Sequence, residues 1–80
     1  MHYKLTVRKS PKAKREWDVH FSIAEEVKER MGEYAAVRAV SDGHLERLGL
    51  KDHEPVHLEM LVGGVWKPRP LLTPEHHEWP

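Results

Sequence analysis

The chain has 80 residues, with 13 Lys/Arg matched by 13 Asp/Glu and a hydrophobic share of 39%. A chain this short removes only about 60% of its unfolded surface from water, so one thin core in one domain is what it can build. The absence of cysteine excludes disulfide staples, thiolate metal sites and a cysteine nucleophile, and no apolar run approaches the roughly 18 residues that cross a bilayer.

Tyr3, Leu5 and Val7 alternate with Lys4, Thr6 and Arg8, the period of a strand with one wet face. Ser10-Pro11 opens a polar break that runs through Lys14 and Arg15. Trp17, Val19 and Phe21 then alternate with Asp18, His20 and Ser22. Two such strands predict an antiparallel hairpin, with Tyr3, Leu5, Val7, Trp17, Val19 and Phe21 on its buried face. Lys4, Thr6, Arg8, Asp18 and His20 fall on the exposed one. The balanced charge is unevenly spread: residues 4 to 15 hold six basic groups and no acid. A patch of one sign steers a partner of the opposite sign, although lysines at a turn also keep an edge strand soluble.

Ser22-Ile23-Ala24-Glu25 fits a capping box, and Ile23, Val27 and Met31 follow at helical spacing. Glu26 and Arg30 add a pair four apart in the favourable order, and Gly32 suits a left-handed helix end. A helix over about 23–31 is therefore expected. Residues 34–40 are apolar and mostly small. They could extend the helix past Gly32, but Val37 and Val40 before Asp42-Gly43 favour a strand entering a tight turn, with 44–48 as its return. Val56, Leu58, Met60 and Val62 alternate with His57, Glu59 and Leu61, a further strand. Gly63-Gly64 turns the chain into a last extended piece from Val65, which Pro68 and Pro70 confine to a sheet edge or to polyproline geometry. The expected organisation is one domain over 1–72 and a flexible tail over 73–80.

Hairpin, helix and further short strands predict an α+β chain of the ubiquitin-like β-grasp type, an antiparallel hairpin and one main helix rolled together. The stretches Tyr34-Ala35-Ala36-Val37-Arg38-Ala39-Val40, Leu45-Glu46-Arg47-Leu48 and Lys51-Asp52-His53-Glu54-Pro55-Val56 resemble Ras-association domains, which share that roll. About 25 residues carry the match. The resemblance implies a GTP-bound small GTPase as protein partner. It also implies edge-to-edge pairing of the second strand with that partner, and basic residues of the first two strands and first helix facing its acidic surface. Carried over by position, these are Lys4, Arg8, Lys12, Lys14, Arg15 and Lys28, with His20 on the same exposed strand face. The N-terminus lacks the apolar core of a secretory signal, so a cytoplasmic binding module in signalling is expected, monomeric and without cofactor.

A second resemblance competes. Leu45 to Lys51, Val56 to Glu59 and Gly63 to Pro70 are similar to the helix-strand-strand half of SpoVT–AbrB swapped-hairpin domains, which dimerise and bind DNA as transcriptional regulators. In that reading Leu45 to Leu48 is helix and Val56 to Val62 strand, and DNA affinity falls steeply with salt. Neutral overall charge weighs against it.

Seven histidines raise a metal question. His53 and His57 share a face only on a helix, and the Glu75-His76-His77-Glu78 cluster has no scaffold, so solvated histidines are expected and no metal site is assigned. No nucleophile elbow, phosphate loop or zinc-protease motif is present. Ser10, Ser22 and Ser41 fit turn and cap roles, and no catalytic residue is assigned. Trp17 is expected in the core, Trp66 near the sheet, and Trp79 in the tail.

Overall fold

The structure, a computed structural model, describes residues 1–70. The expected tail, with its His/Glu cluster and Trp79, lies outside the described residues. The element order is β1 (His2–Arg8), β2 (Glu16–Ser22), α1 (Glu25–Met31), α2 (Glu33–Arg47), β3 (Glu54–Val62) and β4 (Val65–Arg69). The strands form one antiparallel sheet in the order β2-β1-β3-β4. β2 and β3 thus run in the same direction on either side of β1, and joining them takes a crossover, here made by both helices.

The hairpin forms in the expected register, with Tyr3 opposite Phe21, Leu5 opposite Val19 and Val7 opposite Trp17. These six residues face the helices; five are buried and Trp17 is half-buried. Leu58 of β3 completes the sheet side of the core, and Ile23, Ala36, Val37, Leu45 and Leu50 close it from above. At the far end of the sheet Gly63 and Gly64, with φ of 58° and 79°, make the two-residue turn between β3 and β4. Pro68 lies on the outer strand β4, and Pro55 sits where the β1–β3 register shifts past Thr6/Val7, the two settings that tolerate a missing N–H.

The helical layer departs from the sequence expectation in three ways. First, the capping box does not form. Ala24 is the N-cap of α1 with no side-chain cap bond, and Ser22 Oγ instead lies 2.6 Å from His2 Nδ1. Ile23 continues the ladder, exchanging backbone bonds with Met1. Second, α1 buries none of its residues and Met31 is exposed, so the expected Val27/Met31 core stripe is only a half-buried Val27.

Third, the strands expected at 34–40 and 44–48 are one helix, α2, so there are two helices among the described residues where one main helix was expected. Its inward residues Glu33, Ala36, Val37, Ser41 and Leu45 follow helical spacing. The Asp42-Gly43 turn signal is overridden because this face has a sheet to cover. α2 ends in a Schellman motif: the Leu50 N–H reaches the Leu45 carbonyl, the Gly49 N–H reaches that of Glu46, and Gly49 has φ 71°. Leu45 and Leu50, both buried, supply the hydrophobic contact that goes with it.

Gly32 separates the two helices. Its φ of 85° is positive, as expected, but ψ of 153° makes it an extended corner rather than a left-handed cap. Only glycine adopts that geometry without strain, and the chain turns there into α2.

Candidate functional site

The sheet has two edges of unequal character. β4 is five residues long and carries Pro68, which blunts pairing. β2 is seven residues long, holds no proline and, among the described residues, pairs with β1 alone. Hydrogen-bond parity fixes what it offers. Met1 and Ile23 exchange both backbone bonds, so the odd-numbered pairs of this ladder bond inward and the even-numbered ones do not. The N–H and C=O groups of Asp18, His20 and Ser22 therefore point outward from the sheet.

One end of this edge runs into the β1–β2 loop. There a turn closes from the Ala13 N–H to the Ser10 carbonyl at 3.0 Å, with Pro11 in the position that presets its angle. Lys9, Lys12 and Lys14 are exposed and make no ion pair among the described residues. Arg15 lies over the Trp17 ring, 4.7 Å from its centroid, and Arg8 is 3.9 Å from Glu16. The loop presents its charge to solvent with little internal compensation.

The other residues named from sequence divide between two faces. Lys4 and His20 lie on the open face of the sheet. Lys4 Nζ is 3.2 Å from Glu59 and 5.0 Å above the Trp66 ring, and His20 meets the same indole edge-on at 5.7 Å. Thr6 Oγ1 donates to Asp18 Oδ1 at 2.7 Å beside them. Lys28 is on the opposite, helical side. Its Nζ is 3.5 Å from Glu33 and donates to the Met1 sulfur at 3.2 Å. The structure therefore sets Arg8, Lys12, Lys14 and Arg15 in the β1–β2 loop or at the strand ends beside it, Lys4 and His20 further along the sheet, and Lys28 on its opposite side. Glu59 and Trp66, the partners of Lys4, were not marked by the sequence because only the β1–β3 and β3–β4 registers make them neighbours.

Under the helices lies a polar cluster. The carboxylate of Glu33, 1% exposed, accepts from Tyr3 Oη at 2.8 Å and pairs with Arg69 and Lys28. Burial, then the bond to Glu33, pushes the Tyr3 hydroxyl far above its ordinary range. This cluster ties β1, α1, α2 and β4 together. A shallow cleft of about 250 Å³ lies elsewhere, lined by Arg38, Asp42, Leu45, Glu46 and Lys51. The Tyr34 hydroxyl and then Asp42 raise the affinity of exposed Arg38 for its proton there, which leaves an ordinary surface pair.

Among the described residues no three His, Asp or Glu side chains converge as a metal site would require, and no helix is long and apolar enough to cross a membrane. Comparison with protein-family models, curated proteins and solved structures yields no match.

Proposed function

We propose that this chain is a non-enzymatic protein-binding module of cytoplasmic signalling, built on a β-grasp-like scaffold, that captures a strand of its partner along β2. The observation that carries the reading is the β2 edge, unpaired among the described residues, running into the cationic β1–β2 loop. Main-chain bonds to Asp18, His20 and Ser22 supply affinity, and the loop selects a partner that is acidic beside its strand. A GTP-bound small GTPase is the partner class we favour. The strand pattern that suggested it at 34–48 is helical, so its support is now the edge and the charge, with Arg8, Lys12, Lys14 and Arg15 as contacts. Lys28 is not among them, because it serves Glu33.

The test is a titration against GTP- and GDP-loaded small GTPases at low micromolar protein. Arg8→Ala and Lys14→Ala are expected to weaken nucleotide-dependent binding, and His20→Pro, which removes an outward N–H and no ladder bond, to abolish it. Binding indifferent to nucleotide and to all three changes would remove the GTPase.

One observation favours a second reading. Leu45 to Arg47 is in α2 and Val56 to Val62 in β3, the element types of the SpoVT–AbrB resemblance. A dimer that survives nanomolar dilution and retains duplex DNA with steep salt dependence would favour it.

A further inference from the structure

The β2 edge is complementary to a second copy of itself in one register. A two-fold axis normal to the sheet pairs two β2 strands antiparallel and keeps both helical layers on one side. Outward groups must face outward groups, so Asp18, His20 and Ser22 meet residues of the same set. Three central registers satisfy this. An axis at Asp18 sets two aspartates opposite each other, and an axis at His20 sets two imidazoles opposite each other. With the axis at Val19, Asp18 of each copy faces His20 of the other, and Glu16 faces Ser22. Only this last register pairs all seven residues of β2 and matches charge.

The side chains are free to make these contacts. One oxygen of Asp18 takes the Thr6 hydroxyl, which leaves the other for a donor. The His20 ring contacts Trp66 edge-on and has no hydrogen-bond partner among the described residues. An imidazole N–H donates to a carboxylate whether the ring is neutral or charged. On the helix side the same register brings Trp17 against Phe21 of the other copy, and Val19 against Val19, an aromatic and a β-branched pairing.

We propose that two copies of this chain pair reversibly through β2 in the Val19-centred register, with reciprocal Asp18–His20 contacts. The dimer joins two four-stranded sheets into one of eight. It occupies the edge that partner capture would use, so its bearing on regulation, though not the pairing itself, rests on the function proposed above.

Sedimentation and light scattering from about 1 µM to 1 mM test the pairing with no partner present. The mass is expected to climb from 9.4 kDa toward twice that value. Asp18→His and His20→Asp, each setting like groups opposite one another, are expected to raise the dissociation constant at least tenfold. The double exchange Asp18→His/His20→Asp restores unlike pairs and is expected to return it to within about threefold of the original. A second readout needs no variant: hydrogen exchange of the wild-type Asp18, His20 and Ser22 amides is expected to slow at least tenfold at the high concentration. A monomer throughout, a dimer that leaves those amides unprotected, or failure of the double exchange to recover association in a folded chain would each overturn the proposal. Because partner titrations are run below the pairing concentration, their failure and this one are separable.

Discussion

Glu33 is the residue on which most of the helical layer depends. A carboxylate buried to this degree is tolerated only with charge and donors around it, and Tyr3, Lys28 and Arg69 supply both. It also sits in the first turn of α2, where the helix dipole favours a negative group. Removing one member of a buried pair typically costs about 3–5 kcal/mol. Glu33→Ala is therefore expected to leave little folded chain, whereas Glu33→Gln should retain part of the bonding; urea unfolding measures the difference. Tyr3→Phe removes one donor to Glu33 and is expected to cost about 1–3 kcal/mol at neutral pH. The sign of the pH effect follows from the raised Tyr3 value. Stability from the neutral phenol is intact below the unfolded value of 10.0 and is lost as pH climbs from there toward the folded-state value. Alkaline unfolding monitored by tyrosinate absorbance should thus begin near pH 10, and Tyr3→Phe should flatten that limb. Tyr3 was readable as a core residue from its alternation with Leu5 and Val7. Its hydroxyl's partner was not, since Glu33 is thirty positions away.

Among the elements, the strands were the more legible. Period two survives toward the helices in β1 and β2, where Tyr3, Leu5, Val7, Val19 and Phe21 are buried, but Thr6, expected on the exposed face, is buried as well because β1 is a central strand. Of the two settings Pro68 allowed, the edge strand is the one observed, with Pro68 in β4. The α2 segment misled because Val37, Val40 and Asp42-Gly43 carry local strand and turn preferences, while the signals for helix lie in the Ala35/Ala36/Ala39 content, the Arg38–Asp42 spacing and the 33/36/37/41/45 stripe. Its stripe includes Glu33 and Ser41, polar residues that conceal it from a hydrophobic count. Gly32 holds the corner between the helices by backbone conformation alone, since a Cβ there would meet no atom within 4 Å. Gly32→Ala is therefore expected to cost about 1–3 kcal/mol from the strained φ/ψ, with thermal melting lowered and helical circular dichroism little reduced, because alanine favours joining α1 to α2.

At the scale of the molecule, the net charge of zero conceals a polar arrangement, with cations gathered at the β1–β2 loop and acids distributed elsewhere. Exposed substitutions there touch no packed group, so Lys12→Glu/Lys14→Glu is expected to change stability by only about 0.5 kcal/mol for each position. The same change should abolish retention on an anionic resin, which in the wild type should weaken as salt is raised above about 0.1 M. The sequence by itself determined the hairpin, its core-facing residues, the break at Gly32 and the cationic loop, because alternation, glycine geometry and charge are local properties of a chain. Tertiary structure alone decided that residues 33–47 are helical, that Lys28 belongs to a buried cluster and Lys4 to Glu59, and that β2 is left as an open edge. Those outcomes depend on which strand lies beside which and on what face needs covering, and such long-range burial outweighs the small local preferences written along the chain.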